Sequence, residues 1–330
     1  MKPYEQLTAA GKLQRLRRLA AEAIERYDLR GARLTFLRQI NNTLFRVDAQ
    51  AHGRFLLRIH NLARHSNEEI RSEFVWLEAL RREAHLIVPE PVPARDGSLW
   101  IEVLAEGVPE PRRCVLLRWV PGRRKISRLR PVDLLACGLY MARLHQHSAQ
   151  WSAPEGFVRP RWDWNRLFGN RAMLWRKGPG VFSESDLSIF RAVSERLLQQ
   201  LEQLGEGKQV FGLIHSDLHP SNFLFHRGQV AAIDFDDAGW GYYMFDMAVM
   251  LTELDDYRER SASMQAKFLE GYQRVRPLPE GFEQNLATFK AIRIVDLVNW
   301  VLGWETLTVR PWGPRFLRRA VRQLEQFLSR

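Results

Sequence analysis

This sequence predicts an α+β protein of two unequal lobes, a small antiparallel β-sheet lobe followed by a larger helical one, and three observations carry the prediction. Between Ala32 and about Leu104 apolar and polar residues alternate at a period of two, the signature of half-buried strands. Beyond Lys125 the apolar residues recur at three and four positions, as along one face of a helix. The two regimes are separated by Val120-Pro121-Gly122, and Pro-Gly continues neither helix nor sheet.

The composition permits such a fold and excludes others. With 330 residues, 45% hydrophobic and 26% charged, the chain can bury a core and is neither disordered, collagenous nor a small disulfide scaffold. Single cores stop growing near about 250–300 residues, so one large domain or two intimate lobes of one enzyme is expected. Two cysteines, Cys114 and Cys137, cannot build a framework. No apolar run reaches the roughly 18 residues of a membrane span, and no leader is seen, so a cytoplasmic protein without a membrane partner is expected. The net charge of +11 invites a nucleic-acid reading. Seven lysines against 42 arginines, spread along the chain, speak instead for a compositional bias. The densest cluster, Arg315, Arg318, Arg319 and Arg322, shares its segment with Phe316, Leu317, Ala320, Val321, Leu324, Phe327 and Leu328 at helical spacing, an amphipathic helix with a solvated basic face. A nucleic-acid partner is therefore not expected.

Taken in order, residues 1–30 form an N-terminal helical extension with Leu13, Leu16, Leu19 and Ala23 on one face. The small lobe, 31–118, opens with strands marked by Leu34 and Phe36, by Phe45 and Val47, and by Phe55, Leu57 and Ile59. A helix from Ser66 to Arg82 interrupts them, opened by a Ser66-x-x-Glu69 capping box and faced by Ile70, Phe74, Leu77 and Leu80. Asp96-Gly97 is a hairpin signal ahead of a strand from Leu99 to Leu104, and a last strand runs from Cys114 to Trp119. Residues 119–122 are the hinge, and 123–330 the helical lobe, with stripes at Leu134, Cys137, Met141 and Leu144 and at Phe190, Val193, Leu197, Leu201 and Leu204. Two short apolar strands with polar loops interrupt that lobe between Val210 and Asp237.

The chemistry gathers in this insert, which reads His215-Ser216-Asp217-Leu218-His219-Pro220-Ser221-Asn222, then Phe223-Leu224-Phe225, a His226-Arg227-Gly228-Gln229 turn, and Val230 to Asp237. Carboxylates and an amide stand at the ends of apolar strands, where a half-buried charge needs a partner or a cation. The hairpin between Phe225 and Val230 would bring Asn222 and Asp234 side by side, two oxygen ligands suited to a hard cation such as Mg2+. A lone Asp217 beside them completes the minimal equipment for phosphoryl transfer, in which metal neutralises phosphate charge and the carboxylate orients a hydroxyl.

His215-x-Asp217-x4-Asn222, with Ile233-Asp234-Phe235-Asp236 beyond it, resembles the catalytic and metal-binding loops of the aminoglycoside phosphotransferase and choline kinase superfamily, relatives of the protein kinases. Asn42 to Val47 resembles the hairpin that covers the nucleotide, and Phe55-Leu56-Leu57-Arg58-Ile59 the strand bearing the phosphate-binding cation. Ser72 to Leu77 is similar to the helix with the partnering glutamate, here Glu73, and Phe245-Asp246-Met247-Ala248 to the segment whose Asp braces the catalytic loop. The likeness spans residues 31–305 in the right order. It implies a bilobal protein-kinase-like fold with ATP and Mg2+ as cofactors. It makes Asp217 the hydroxyl-orienting base, Asn222 and Asp234 the metal ligands, and Arg58 the phosphate contact oriented by Glu73. Asn42 would sit at the nucleotide, Arg118, Trp119 and Val120 at the adenine, with His215, Asp236 and Asp246 as supports. Arg58 stands where protein kinases and many relatives have Lys, so a planar fork replaces a point charge. Neither a G-x-G-x-x-G nor a Walker A loop is present, since Gly205-Glu206-Gly207-Lys208 lacks the spacing.

The acceptor implied is a small hydroxyl compound of the amino-alcohol, homoserine or aminoglycoside kind. The alternatives are a Ser/Thr protein substrate, as for the bacterial stress-response kinases, or a catalytically weak nucleotide-binding regulator. Glu253, Asp255 and Asp256 either line a pocket for a cationic acceptor or form a solvated helix end. Trp162, Trp164, Trp300 and Trp304 either line that pocket or pack a core. His145 and His147 read as ordinary helix residues.

Overall fold

The computed structural model describes residues 2–61, 64–303 and 311–330. They divide into two compact units, Met1–Ala79, Val88–Pro121 and Gly156–Val158 in the first, and Leu80–Ile87, Gly122–Glu155 and Arg159–Arg330 in the second.

In the first unit, helix α1 (Ala9–Glu25) starts at Thr8, whose hydroxyl accepts from the Gly11 N–H. Strands β1 (Arg33–Gln39), β2 (Thr43–Ala49) and β3 (Gly53–Ile59) form an antiparallel meander, and β6 (Arg112–Arg118) continues it. The registers place Val47 opposite Phe55 and Phe45 opposite Leu57, so like faces meet across the ladder. That face is buried with Leu19, Ala23 and Ile24 of α1, and the N-terminal helix thus shares the core of the sheet. Arg58 takes the opposite face, as period two demands. Helix α2 (Asn67–Arg82) begins at the Ser66–Glu69 capping box, closed by the Ser66 N–H to Glu69 Oε2 (2.9 Å) and the Glu69 N–H to Ser66 Oγ (3.2 Å). Its Ile70, Phe74, Leu77 and Leu80 are buried.

The hairpin reading at Asp96-Gly97 needs correction. Both β4 (Pro91–Val92) and β5 (Ile101–Val103) pair with β6, at successive positions along one edge, so the chain between them makes an excursion and returns in the same direction. The Asp-Gly turn is real, closed by Ala94 N–H to Ser98 O, yet it does not join two laddered strands. A local turn signal reports the turn and not the partners of its flanks.

The second unit is built on helices α3 (Pro131–Gln150), α4 (Trp164–Phe168), α5 (Met173–Lys177) and α6 (Glu184–Leu204), followed by the β-insert and by α7 (Tyr243–Asp255), α8 (Ser261–Gln273), α9 (Phe282–Gly303) and α10 (Gly313–Leu328). Helices α3 and α8 approach backbone to backbone. A Cβ on Gly138 would lie 2.0 Å from the Phe268 carbonyl oxygen, and one on Gly271 2.1 Å from that of Leu135. On α10 the arginines 315, 318, 319 and 322 are exposed and Leu317, Ala320, Val321, Leu324 and Phe327 are buried.

The insert holds more strand than expected: β7 (Phe211–Ile214), β8 (Phe223–His226), β9 (Gln229–Ala232) and β10 (Gly239–Tyr242). β8 and β9 are the hairpin, Phe223 opposite Ala232 and Phe225 opposite Val230, while β7 pairs with β10. The strand β10, Gly-Trp-Gly-Tyr, carries no local strand signal because Gly weakens strand propensity. Its pairing is decided by β7, which lies 25 residues or more before it in sequence. Among the described residues no helix is long and apolar enough to cross a membrane.

Candidate active site

The β7 strand delivers a loop, His215 to Pro220, that is tied down residue by residue. His215 is fully buried. Its ring Nε2 lies 3.0 Å from the Ile233 carbonyl oxygen and its Nδ1 accepts from the Asp217 N–H at 3.3 Å, which places the ring proton on Nε2. Ser216 has a left-handed backbone (φ 69°), costly for a residue with a Cβ. The cost is offset by its bonds, the N–H donating to Asp246 Oδ1 at 2.6 Å and the hydroxyl to the Asp237 carbonyl at 2.8 Å. The buried carboxylate of Asp246 also accepts from the His215 N–H at 2.8 Å and faces His145 Nε2 at 3.2 Å. His145 bonds the Tyr272 hydroxyl through Nδ1 at 2.9 Å, and burial holds its pKa below the usual imidazole value against the pull of Asp246. It is thus a buried strut of the loop rather than an ordinary helix residue. His147 bonds Glu83 at 3.0 Å.

Asp217 stands at the loop's open side, its side chain 33% exposed. Oδ1 accepts from Arg293 Nη2 at 2.7 Å; Oδ2 lies 3.3 Å from Asn222 Nδ2 and 3.4 Å from His219 Nε2. Burial pushes the carboxyl upward, but His219 and Arg293 outweigh it and hold the pKa well below the usual carboxylate range. Asp217 in turn raises the pKa of His219, overcoming its desolvation and the opposing charge of Arg293.

Asn222 is buried, and its Nδ2 also donates to the Asp217 carbonyl at 2.9 Å, which turns Oδ1 to the far side of the amide. Its main-chain oxygen accepts from the Ile233 N–H at 2.9 Å, so the residue after Ile233, Asp234, begins beside Asn222. Asp234 also has a left-handed backbone (φ 73°). The following turn, Phe235 to Asp237, is clamped by Arg159, whose Nε and Nη2 donate to the carbonyls of Ala238 and Asp236, each at 2.6 Å. The carboxylate-bearing Asp236 is itself buried.

In the first unit Arg58 and Glu73 form a buried pair, Nη2 lying 2.9 Å and 2.8 Å from the two carboxylate oxygens, both side chains 3% exposed. Asn42 Oδ1 accepts from the Asn61 N–H at 3.2 Å. Arg118 is exposed and its N–H bonds the Glu90 carbonyl, Trp119 N–H bonds that of Arg54, and Val120 is half-buried.

The acidic cluster separates. Asp255 is paired with Lys290 at 2.7 Å and Asp256 with Arg319 at 3.4 Å, while the exposed Glu253 acts electrostatically on His219 and Arg293. The Trp162 indole donates to the Asp237 carbonyl and that of Trp164 to Ser194; Trp300 stacks on Trp312. Trp304 lies outside the described residues.

Arg293, Asp296 and Arg159 were not anticipated as neighbours of these loops. Arg293 and Asp296 did leave a mark: Ala291 to Val298 is an apolar run broken by those two charges, and a charge on a buried face requires a partner.

The sequence model of the phosphotransferase enzyme family (APH) matches residues 34–282. The chain belongs to this family. As a phosphotransferase it is a kinase whose acceptor is an alcohol group, and its α+β fold is protein-kinase-like. Amicoumacin kinase of Bacillus subtilis (strain 168) is 23% identical over 283 residues, 83% of this chain and 81% of that one. The structure of the microcompartment-associated aminopropanol kinase is 30% identical with a TM-score of 0.82, over 94% of this chain and 97% of that one. The amicoumacin kinase hAmiN, solved with AMP-PNP, Ca2+ and Ami, shares the fold at a TM-score of 0.78 and 21% identity, over 96% of each chain.

Proposed function

We propose that this phosphotransferase moves the γ-phosphoryl group of ATP, with Mg2+, to the hydroxyl of a small amino-alcohol-like acceptor, and that Asp217 meets that hydroxyl. The observation that carries this reading is the grouping of Asp217, Asn222 and the start of Asp234 around one loop pair, with Asp217 kept ionised by Arg293 and the neighbouring His219. An ionised carboxylate of such low basicity is suited to orienting a hydroxyl and taking its proton late, when the oxygen has already bonded to phosphorus.

The donor set fits a hard divalent ion: an amide oxygen turned away from Asp217 and a carboxylate presented by a constrained turn. Asn222 and Asp234 would hold Mg2+, which neutralises phosphate charge when bound. Residues 31–118 are assigned to nucleotide binding, with Arg58 on the phosphates, Glu73 orienting it, and Asn42, Arg118, Trp119 and Val120 around the nucleotide. Residues 119–122 are the hinge, and 123–330 carry catalysis and the acceptor. His215, Asp236 and Asp246 hold the loops, and Glu253 is the carboxylate placed to attract an acceptor's ammonium group. The amine-bearing acceptor is supported by the aminopropanol kinase likeness and by the exposed carboxylate of Glu253 near enough to raise the pKa of Arg293.

The test is acceptor-stimulated ADP release over a panel of amino alcohols, homoserine-like compounds and aminoglycosides, with a Ser/Thr peptide as comparison. Asp217→Asn should bind Mg·ATP as the parent does and lose transfer, because only the proton acceptor changes. Asp234→Ala should weaken Mg·ATP binding itself. Full turnover by Asp217→Asn, or stimulation by the peptide alone, would end this reading.

A further inference from the structure

Arg293 projects from α9 between two carboxylates. Nη2 donates to Asp217 Oδ1 at 2.7 Å and Nη1 to Asp296 Oδ2 at 3.0 Å, with the Arg293 side chain 7% exposed. We propose that Arg293 is a positioning residue for phosphoryl transfer: its fork, held from behind by Asp296, locks one oxygen of the Asp217 carboxylate and so presents the other to the acceptor hydroxyl in a single orientation. The inference rests on the reading of Asp217 as the group that meets the hydroxyl.

The two oxygens of Asp217 are unequal. Oδ1 is tied by a short charge-assisted bond, whereas Oδ2 has only the longer contacts to Asn222 and His219, at 3.3 Å and 3.4 Å. A carboxylate on a single-bonded stem rotates about χ2, and one short anchor removes that freedom before a substrate arrives. The anchor is itself anchored, since Asp296 is one turn further along α9, 14% exposed, and bonded to the other arm of the guanidinium. An ion pair as little exposed as Arg293 and Asp296 is a poor way to gain stability, because apolar replacements of similar volume are commonly neutral or better. The buried arginines 159 and 276 reach main-chain carbonyls and brace loops; Arg293 instead holds the side chain of a reacting group. The fork matters because Lys, a point charge, cannot hold both carboxylates in one plane.

The measurement is steady-state kinetics with ATP and the best acceptor for Arg293→Ala, Arg293→Lys and Asp296→Asn, with thermal melts of each. In Arg293→Ala kcat should fall about 10²-fold, the scale of a 1 Å misplacement, while the nucleotide KM stays near the parent value. Added guanidinium at sub-denaturing concentration should return part of that kcat. Arg293→Lys should remain folded with a reduced kcat that guanidinium does not correct, and Asp296→Asn should show a smaller fall. Parental kcat in a folded Arg293→Ala overturns the proposal. If that variant does not fold, parental kcat in both Arg293→Lys and Asp296→Asn overturns it. Asp217→Asn separates the two levels: if it retains turnover, the assignment of Asp217 and this inference fall together. If it is inactive while the Arg293 variants are fully active, only this inference falls.

Discussion

At the residue scale, the groups that matter are those whose charge or backbone conformation would be costly anywhere else. Ser216 and Asp234 both adopt a left-handed backbone, and they open the two loops that carry Asp217 and the metal-ligand candidate. Buried Arg58 and Glu73 have no solvent to fall back on. Arg58→Ala would leave a carboxylate desolvated and unpaired, so chemical denaturation should register a loss of about 3–5 kcal/mol. Arg58→Lys keeps the charge and should lose much less stability, with its defect appearing as a raised nucleotide KM. A fall in stability as large for Lys as for Ala would mean that fork geometry, not charge, holds the pair. Asp217 and Asn222 were legible as candidates because they are neighbours within one of an ordered set of motifs. Arg293 was not, for it comes from α9, 76 residues further along the chain.

Among elements, local patterns were faithful wherever the deciding forces were local. The Ser66–Glu69 box sets where α2 begins because both bonds close within a single turn. The β8–β9 hairpin was readable because its register follows from a short turn. By contrast β10 and the excursion between β4 and β5 depend on pairing with β7 and β6, which no local window contains. The α3–α8 contact is a close approach that sequence periodicity does not announce, since a glycine in a helix reads only as a weak helix former. Gly138→Ala must push its methyl into the Phe268 carbonyl. It should cost about 1–3 kcal/mol despite the better helix propensity of Ala, as seen in the denaturation midpoint. A stabilised Gly138→Ala would show that α3 and α8 have room to separate.

For the whole molecule, charge and titration decide how stability responds to solution conditions. The exposed arginines of α10 form part of the +11 surplus, and Arg319 is matched by Asp256. Two histidines pull stability in opposite directions with pH. His145, fully buried between Asp246 and Tyr272 and near Arg276, has its pKa depressed below 6.5, chiefly by burial. Its contribution is complete above the unfolded value and is lost as pH falls through the folded one, because the unfolded chain takes the proton first. His219 has a raised pKa, so its contribution is present below the unfolded value and lost as pH rises through the folded one. Melting the parent and His145→Asn in parallel from pH 7.5 to about 5 should therefore show a steeper acid loss in the parent. Equal slopes would show that His145 takes up a proton in the folded state.

By itself the sequence determined the class of fold, the family and the start of α2, and it singled out the candidate catalytic and metal-loop residues, all through short spacings or periodic burial. Only the tertiary structure decided what those residues touch: the strut from Asp246 to His145, the clamp of Arg159, the edge sharing of β4 and β5, and the fork of Arg293. The physical reason is that a buried charge advertises its need for a partner through its own position. The identity of that partner is chosen by which elements pack together, and such contacts join residues dozens of positions apart.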